Sequence, residues 1–272
     1  MVRRGSLQVV KLLAPSMVSR VLGWSALTLG FALFLWTSPA SPVALWRADV
    51  WLGHGRPYDA ALLYDRIAQL NPLPHLRAAA LERSALTWSV ELGDPHEARD
   101  RLEERLHQWM AEPDRADLLQ RIGELLLLEG EQLEAARRFR EAHDLAPFEP
   151  EATERLARAA RAAATADDLD LAARLWRRLG QTHPEALSRA ELGLANVALS
   201  RGDVEGALVA YENAVDHAFD ADVASVASLG AATCLERLGN LDLALAQLEE
   251  ADLPDAVRAS RAAQIKARGA IK

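Results

Sequence analysis

The chain has 272 residues, half of them hydrophobic, with few aromatics and one cysteine. That length suffices for one large domain or two small ones, and the scarcity of aromatic and β-branched residues argues against a large sheet. Formal net charge is −8; the first twenty residues hold Arg3, Arg4, Lys11 and Arg20 and no acid, so the remainder carries −12 and disfavours nucleic acid as a partner.

In chain order, the first predicted element is a membrane segment. No charged residue occurs from Val21 to Trp46, and "VLGWSALTLGFALFLW" (Val21–Trp36) is continuously apolar apart from Ser and Thr. With its neighbours it approaches the roughly 20 residues that span a bilayer. The reading is a basic cytoplasmic tail over 1–17 and a transmembrane helix over 18–38. The positive-inside rule then puts the body in the periplasm, as a single-pass protein of the bacterial inner membrane. Ala26 and Gly30 form a small-xxx-small pair that would seat a partner helix. Two alternatives stay open. One is a cleaved signal peptide, with Ser38 and Ala40 as the small residues of the cleavage site. The other is a buried core helix.

From residue 43 to 254 the sequence repeats. A loop column runs Gly55, Gly93, Gly130, Asp167, Gly202, Gly239, at spacings of 38, 37, 37, 35 and 37. Five residues after each stands an alanine: Ala60, Ala98, Ala135, Ala172, Ala207, Ala244. Four residues further stands a large apolar residue: Tyr64, Leu102, Phe139, Trp176, Tyr211, Leu248. Seven residues before the loop column come Ala48, Gly123, Ala160, Ala195 and Ala232, with Leu86 breaking the pattern in the second repeat. Pro72, Pro147 and Pro184 close three repeats. Small residues let paired helices approach, and the loop glycine ends the first helix in a left-handed turn. A final helix over 255–272 is expected to cap the last hairpin, with Asp255 at its start and Lys266 and Arg268 late.

These columns resemble the tetratricopeptide repeat, a helix-turn-helix unit of about 34 residues. "GELLLLEGEQLEAARRFREAHDLAP" (Gly123–Pro147) is the closest match, through Gly123, Gly130, Ala135, Phe139, Ala142 and Pro147. The resemblance implies an all-α fold: after the transmembrane helix, a right-handed solenoid of about six helical hairpins. It also implies a groove lined by the first helix of each hairpin. Counting along those helices gives Arg83, Gln120, Arg121, Arg158, Arg161, Arg189 and Asn196 as groove-facing candidates. Five arginines in an acidic body suggest a cleft for an acidic or C-terminal peptide of a protein partner. The lysine and asparagine spacing by which some relatives hold a chaperone tail is missing. The competing reading is internal salt bridging by Asp117, Glu124 and Glu154.

No chemistry-bearing motif stands out. There is no G-x-S-x-G, no phosphate-binding glycine loop and no dinucleotide fingerprint. His143-Asp144 looks like a metal doublet, but the other histidines scatter over different repeats and none forms H-E-x-x-H. Cys234 has no partner for a disulfide or a thiolate site and reads as core. Asp167-Asp168 reads as a turn followed by a helix start. No catalytic, metal or cofactor site is expected. The expected function is that of a membrane-anchored scaffold supporting assembly of an envelope complex. Two others are a subunit docking through its transmembrane helix and, from another class, an enzyme with a novel site.

Overall fold

The computed structural model describes Gly30 and residues 37–269, and every regular element among them is helical. It divides into two compact units, with the boundary between Gln108 and Trp109. In the first unit α1 (Ala44–Gly53) pairs with α2 (Pro57–Leu70), and α3 (Pro74–Leu86) runs through a π-helical turn, Thr87–Glu91, before pairing with α4 (Pro95–Leu106). The second unit holds four hairpins. They are α5 (Glu112–Glu129) with α6 (Gln132–Leu145), α7 (Ala152–Thr165) with α8 (Leu169–Thr182), α9 (Leu187–Ser200) with α10 (Val204–Asp216), and α11 (Ala221–Arg237) with α12 (Leu241–Glu250). The last helix is α13 (Asp255–Gly269).

This corrects the expectation of a transmembrane helix in the fold and of a single-pass inner-membrane, periplasmic location. Among the described residues no helix is long and apolar enough to cross a membrane. The longest, α5, is 18 residues but carries Glu112, Asp114, Arg115, Asp117, Arg121, Glu124 and Glu129. Each such charge in a bilayer core carries a penalty of about 3 kcal/mol. The segment read as a span, 18–38, and Ala26 with it, falls outside the described residues except for Gly30, which is exposed, and Thr37 and Ser38.

The repeat columns have distinct physical jobs. All six loop residues take positive φ, from +62° at Asp167 to +86° at Gly239. At Gly130 (φ +83°) the reversal lets the Glu131 amide donate to the Leu126 carbonyl at 2.9 Å, which satisfies a carbonyl at the end of α5. The six alanines five residues on are all 0 % exposed, because each lies where the two helices of its hairpin touch. The large residue four further is buried in every repeat. Its ring needs a hole opposite. Phe139 finds it within its own hairpin, where a Cβ on Gly123 would stand 2.9 Å from the ring. Trp176 and Tyr211 instead reach the first helix of the next hairpin, at Gly193 and Gly230, where a Cβ would stand 2.3 and 2.4 Å away.

Leu86 breaks the small column for a local reason. The π-helical turn Thr87–Glu91 absorbs one extra residue. The buried small residue is therefore Ala85, 2 % exposed, and Leu86 points to solvent. Tyrosines in the large column use a recurring device. Tyr64 donates to Asp49 Oδ1 at 2.5 Å and Tyr211 to Asn196 Oδ1 at 2.6 Å; each acceptor follows its small-column alanine. Cys234 is buried in the core that Tyr211 organises. At the C-terminal end, α13 buries Ile265 and clasps Glu236 on α11 through Arg261 and Arg268 at 2.7 and 2.5 Å.

Two outcomes test this account by chemical denaturation. Gly193→Ala should lose about 1–3 kcal/mol of stability, because a methyl there must displace the buried Trp176 ring. Gly130→Ala should lose about 1–2 kcal/mol, whereas Asp167→Gly should lose nothing and gain up to about 1 kcal/mol, since Asp167 already bears the left-handed strain.

Candidate binding groove

Helices α5, α7 and α9 are the first helices of consecutive hairpins in the second unit, and their charged side chains meet one another. The anchor is Arg155 on α7, the largest fully buried side chain in the chain's described residues. It sits among Ala152, Leu156, Ala159 and Ala163, the apolar face of its own helix. Burying a guanidinium is tolerated only if its donors are matched and its charge is paired. Arg155 meets that requirement: Nε donates to Gln120 Oε1 at 3.0 Å, Nη1 to Glu149 Oε2 at 3.0 Å, and Nη2 to Asp117 Oδ1 at 2.5 Å. The two carboxylates reach out toward water while the arginine does not.

One turn along α7 the charges continue. Arg158 pairs with Glu124 on α5 and, through Nε at 3.1 Å, with Glu154. Its guanidinium also lies 6.0 Å from the centre of the Phe139 ring. Glu154 collects two more arginines: Arg161 at 2.5 Å and, from α9, Arg189 at 2.6 Å. Burial pushes the Glu154 carboxyl up, but the guanidiniums of Arg189, Arg161 and Arg158 outweigh that and hold it below the usual carboxylate range. Gln120 joins this network by donating to Glu124 at 3.4 Å.

Of the seven expected groove residues, the structure therefore connects Gln120, Arg158, Arg161 and Arg189 through Glu124 and Glu154. Arg121, half-buried on α5, makes no hydrogen bond or ion pair with the described residues. Arg83 belongs to the other unit, where it pairs with Asp49 at 3.0 Å. Asn196 is exposed on α9, with its side-chain carbonyl committed to Tyr211. Sequence reasoning missed Arg155. Its partners lie 38, 35 and 6 residues away, so no helical spacing within α7 reveals it. The network sets four guanidiniums (Arg155, Arg158, Arg161, Arg189) against four carboxylates (Asp117, Glu124, Glu149, Glu154), and Arg121 stands beside it on α5, a helix that also carries Glu112, Asp114, Arg115 and Glu129.

His143 and Asp144, at the end of α6, also gain partners from a distance. His143 is buried, its Nδ1 is 3.1 Å from Asp144 Oδ1, and Arg178 on α8 holds Asp144 at 2.6 Å. Among the described residues no group of three or more His, Cys, Asp and Glu is placed to hold a metal ion.

The depressed Glu154 carboxyl predicts a pH dependence. A carboxylate favoured by folding contributes stability above its ordinary range, and that contribution is lost as pH falls through its folded value. Glu154→Gln should therefore be less stable than the parent at pH 7, and the difference should shrink toward zero near pH 3. Urea unfolding of both proteins at the two pH values checks it.

The comparisons with known proteins fit this geometry. The family model described as "Tetratricopeptide repeat-like domain" matches residues 150–266. No curated protein matches the chain. Among solved structures, a MamA protein is 18 % identical, covering 64 % of this chain and 90 % of its own, with TM-score 0.50. YrrB, described as a TPR protein with an unusual peptide-binding site, is 18 % identical over 71 % of this chain and 94 % of its own, with TM-score 0.49. MamA from Desulfovibrio magneticus RS-1 is 19 % identical over 64 % of this chain and 93 % of its own, with TM-score 0.48. Likeness at this level of identity concerns the fold alone. Residues 150–266 thus match a tetratricopeptide repeat-like domain, and helical hairpins of the same kind recur N-terminal to them.

Proposed function

We propose that this chain is a protein-interaction scaffold whose second unit takes an acidic segment of a partner protein along α5, α7 and α9. A tetratricopeptide-like fold is a scaffold for protein–protein interaction, since each added hairpin adds contact surface. The observation that carries the specific reading is the sharing of one carboxylate: Arg158, Arg161 and Arg189 all turn to Glu154, and among the described residues Arg121 makes no hydrogen bond or ion pair, so guanidinium donors are left over. These donors lie in a body of opposite overall sign. Arginine forks suit carboxylates because two parallel N–H donors match two oxygens. A peptide rich in Asp and Glu would add its carboxylates to Arg121, Arg161 and Arg189 while the buried Arg155 holds α5 and α7 in register.

Internal salt bridging alone is the competing account, and a titration separates the two. A fluorescent Asp/Glu-rich dodecapeptide and a neutral peptide of equal length are each added to the full chain, with binding read by anisotropy. Preferential binding of the acidic peptide is expected, weakening with salt as exposed charge contacts do. Arg121→Glu should weaken it roughly tenfold or more, because it reverses a charge-assisted contact without breaking any bond inside the protein. Equal affinity for both peptides, or no effect of Arg121→Glu, rejects the acidic-segment reading.

A further inference from the structure

His143 ends α6 and His183 follows α8, just before a short 3-10 turn, Pro184–Ala186. They stand 40 residues apart, and the stacking of consecutive hairpins brings their Nε2 atoms to 3.1 Å. The rings meet edge to face, with centroids 5.4 Å apart and planes at 78°. On each ring the other nitrogen faces a carboxylate. His143 Nδ1 lies 3.1 Å from Asp144 Oδ1, and His183 Nδ1 lies 3.4 Å from Glu185 Oε1. An ionised carboxylate only accepts, so the Asp144 contact favours the hydrogen on His143 Nδ1 and leaves its Nε2 as a lone pair. That lone pair accepts a hydrogen bond when His183 carries its hydrogen on Nε2; with the hydrogen of His183 on Nδ1, facing Glu185, both Nε2 lone pairs become available to one cation.

We propose that His143 and His183 form a binding site for a divalent transition-metal ion, with zinc as the reference member of the class. A histidine ligand whose far nitrogen donates to a carboxylate is the arrangement that fixes the tautomer and raises ligand basicity. His143 has it through Asp144, and the Glu185 carboxylate stands 3.4 Å from Nδ1 of His183. The spacing fits as well. Two nitrogens each about 2.0–2.1 Å from one zinc ion stand about 2.9 Å apart at a right angle and about 3.4 Å apart at the tetrahedral angle. The observed 3.1 Å falls between those limits. Imidazole nitrogen selects zinc, copper or nickel over magnesium or calcium. Arg178 brings a positive charge near, but it is engaged by Asp144 at 2.6 Å and keeps that carboxylate in place behind His143. Protein supplies two ligands and water completes the shell. The ion would clip the α5/α6 hairpin to the α7/α8 hairpin.

The test uses the untagged full chain, stripped with chelator and dialysed at pH 7.5. Calorimetric titration with zinc chloride should show one ion per chain, and zinc should raise the melting temperature, because the ion joins two folded hairpins. His183→Gln should weaken zinc binding at least tenfold and abolish the rise. Glu185→Gln should weaken it by a smaller factor while leaving both imidazoles in place. His96→Gln, at an exposed surface histidine, should bind zinc like the parent and magnesium should not bind. Absence of a zinc-dependent rise in the parent, or parental affinity in His183→Gln, overturns the proposal. The latter outcome assigns the zinc to surface histidines and leaves the pair joined by a proton only. Should His143→Gln fail to fold, the partly exposed His183 position still decides the matter.

Discussion

Close approach between paired helices is the constraint from which the rest of this structure follows. At each of six positions a buried alanine marks the contact of the two helices in a hairpin, and four residues on a large side chain is pushed into whatever gap remains. A helix pair that lies this close buries little surface by itself, so each hairpin leaves an apolar face for its neighbour. The rings of Trp176 and Tyr211 show how that face is used: they enter the next hairpin at a residue with no side chain. Steric fit at Gly193 and Gly230 therefore sets the spacing of hairpins in the second unit, much as the alanines set the spacing within them.

That geometry also dictates what polar groups can do. Three first helices held side by side bring Asp117, Gln120 and Glu124 into reach of α7, and α7 into reach of Arg189. Arg155 uses this proximity to be fully buried and still matched on three donor atoms. Farther along the same helix Glu154 serves three arginines, of which Arg158 also reaches Glu124.

The repeat was legible in the sequence because its columns are local. A left-handed loop residue, an alanine and a large apolar residue each constrain backbone or hairpin within ten residues, and periodic recurrence made them visible. What stayed hidden acts between hairpins or by insertion. The π-helical turn at Thr87–Glu91 shifted one column from Leu86 to Ala85, and nothing in the local composition announces it. Gly193 and Gly230 look like ordinary helix glycines until the preceding hairpin's ring is placed against them. Arg155 and His183 gained their roles from residues about one repeat away, a distance at which spacing rules within a helix say nothing. Counting positions singled out Arg158, Arg161 and Arg189, which the structure joins at Glu154. Counting did not show that Asn196 would spend its carbonyl on Tyr211.

The carboxylate of Glu236 has a bearing on how the array ends. Hairpins that stack face to face leave, on the α11/α12 hairpin, an apolar face of the kind that joins neighbours in the second unit. Here α13 lies over that surface, with Ile265 inserted among Ala232, Leu235, Ala244 and Leu248. Two guanidiniums on α13 grip a carboxylate whose side chain is only 3 % exposed. Held in this way, α13 covers an apolar face on which a further hairpin, or the like face of a second molecule, would otherwise stack.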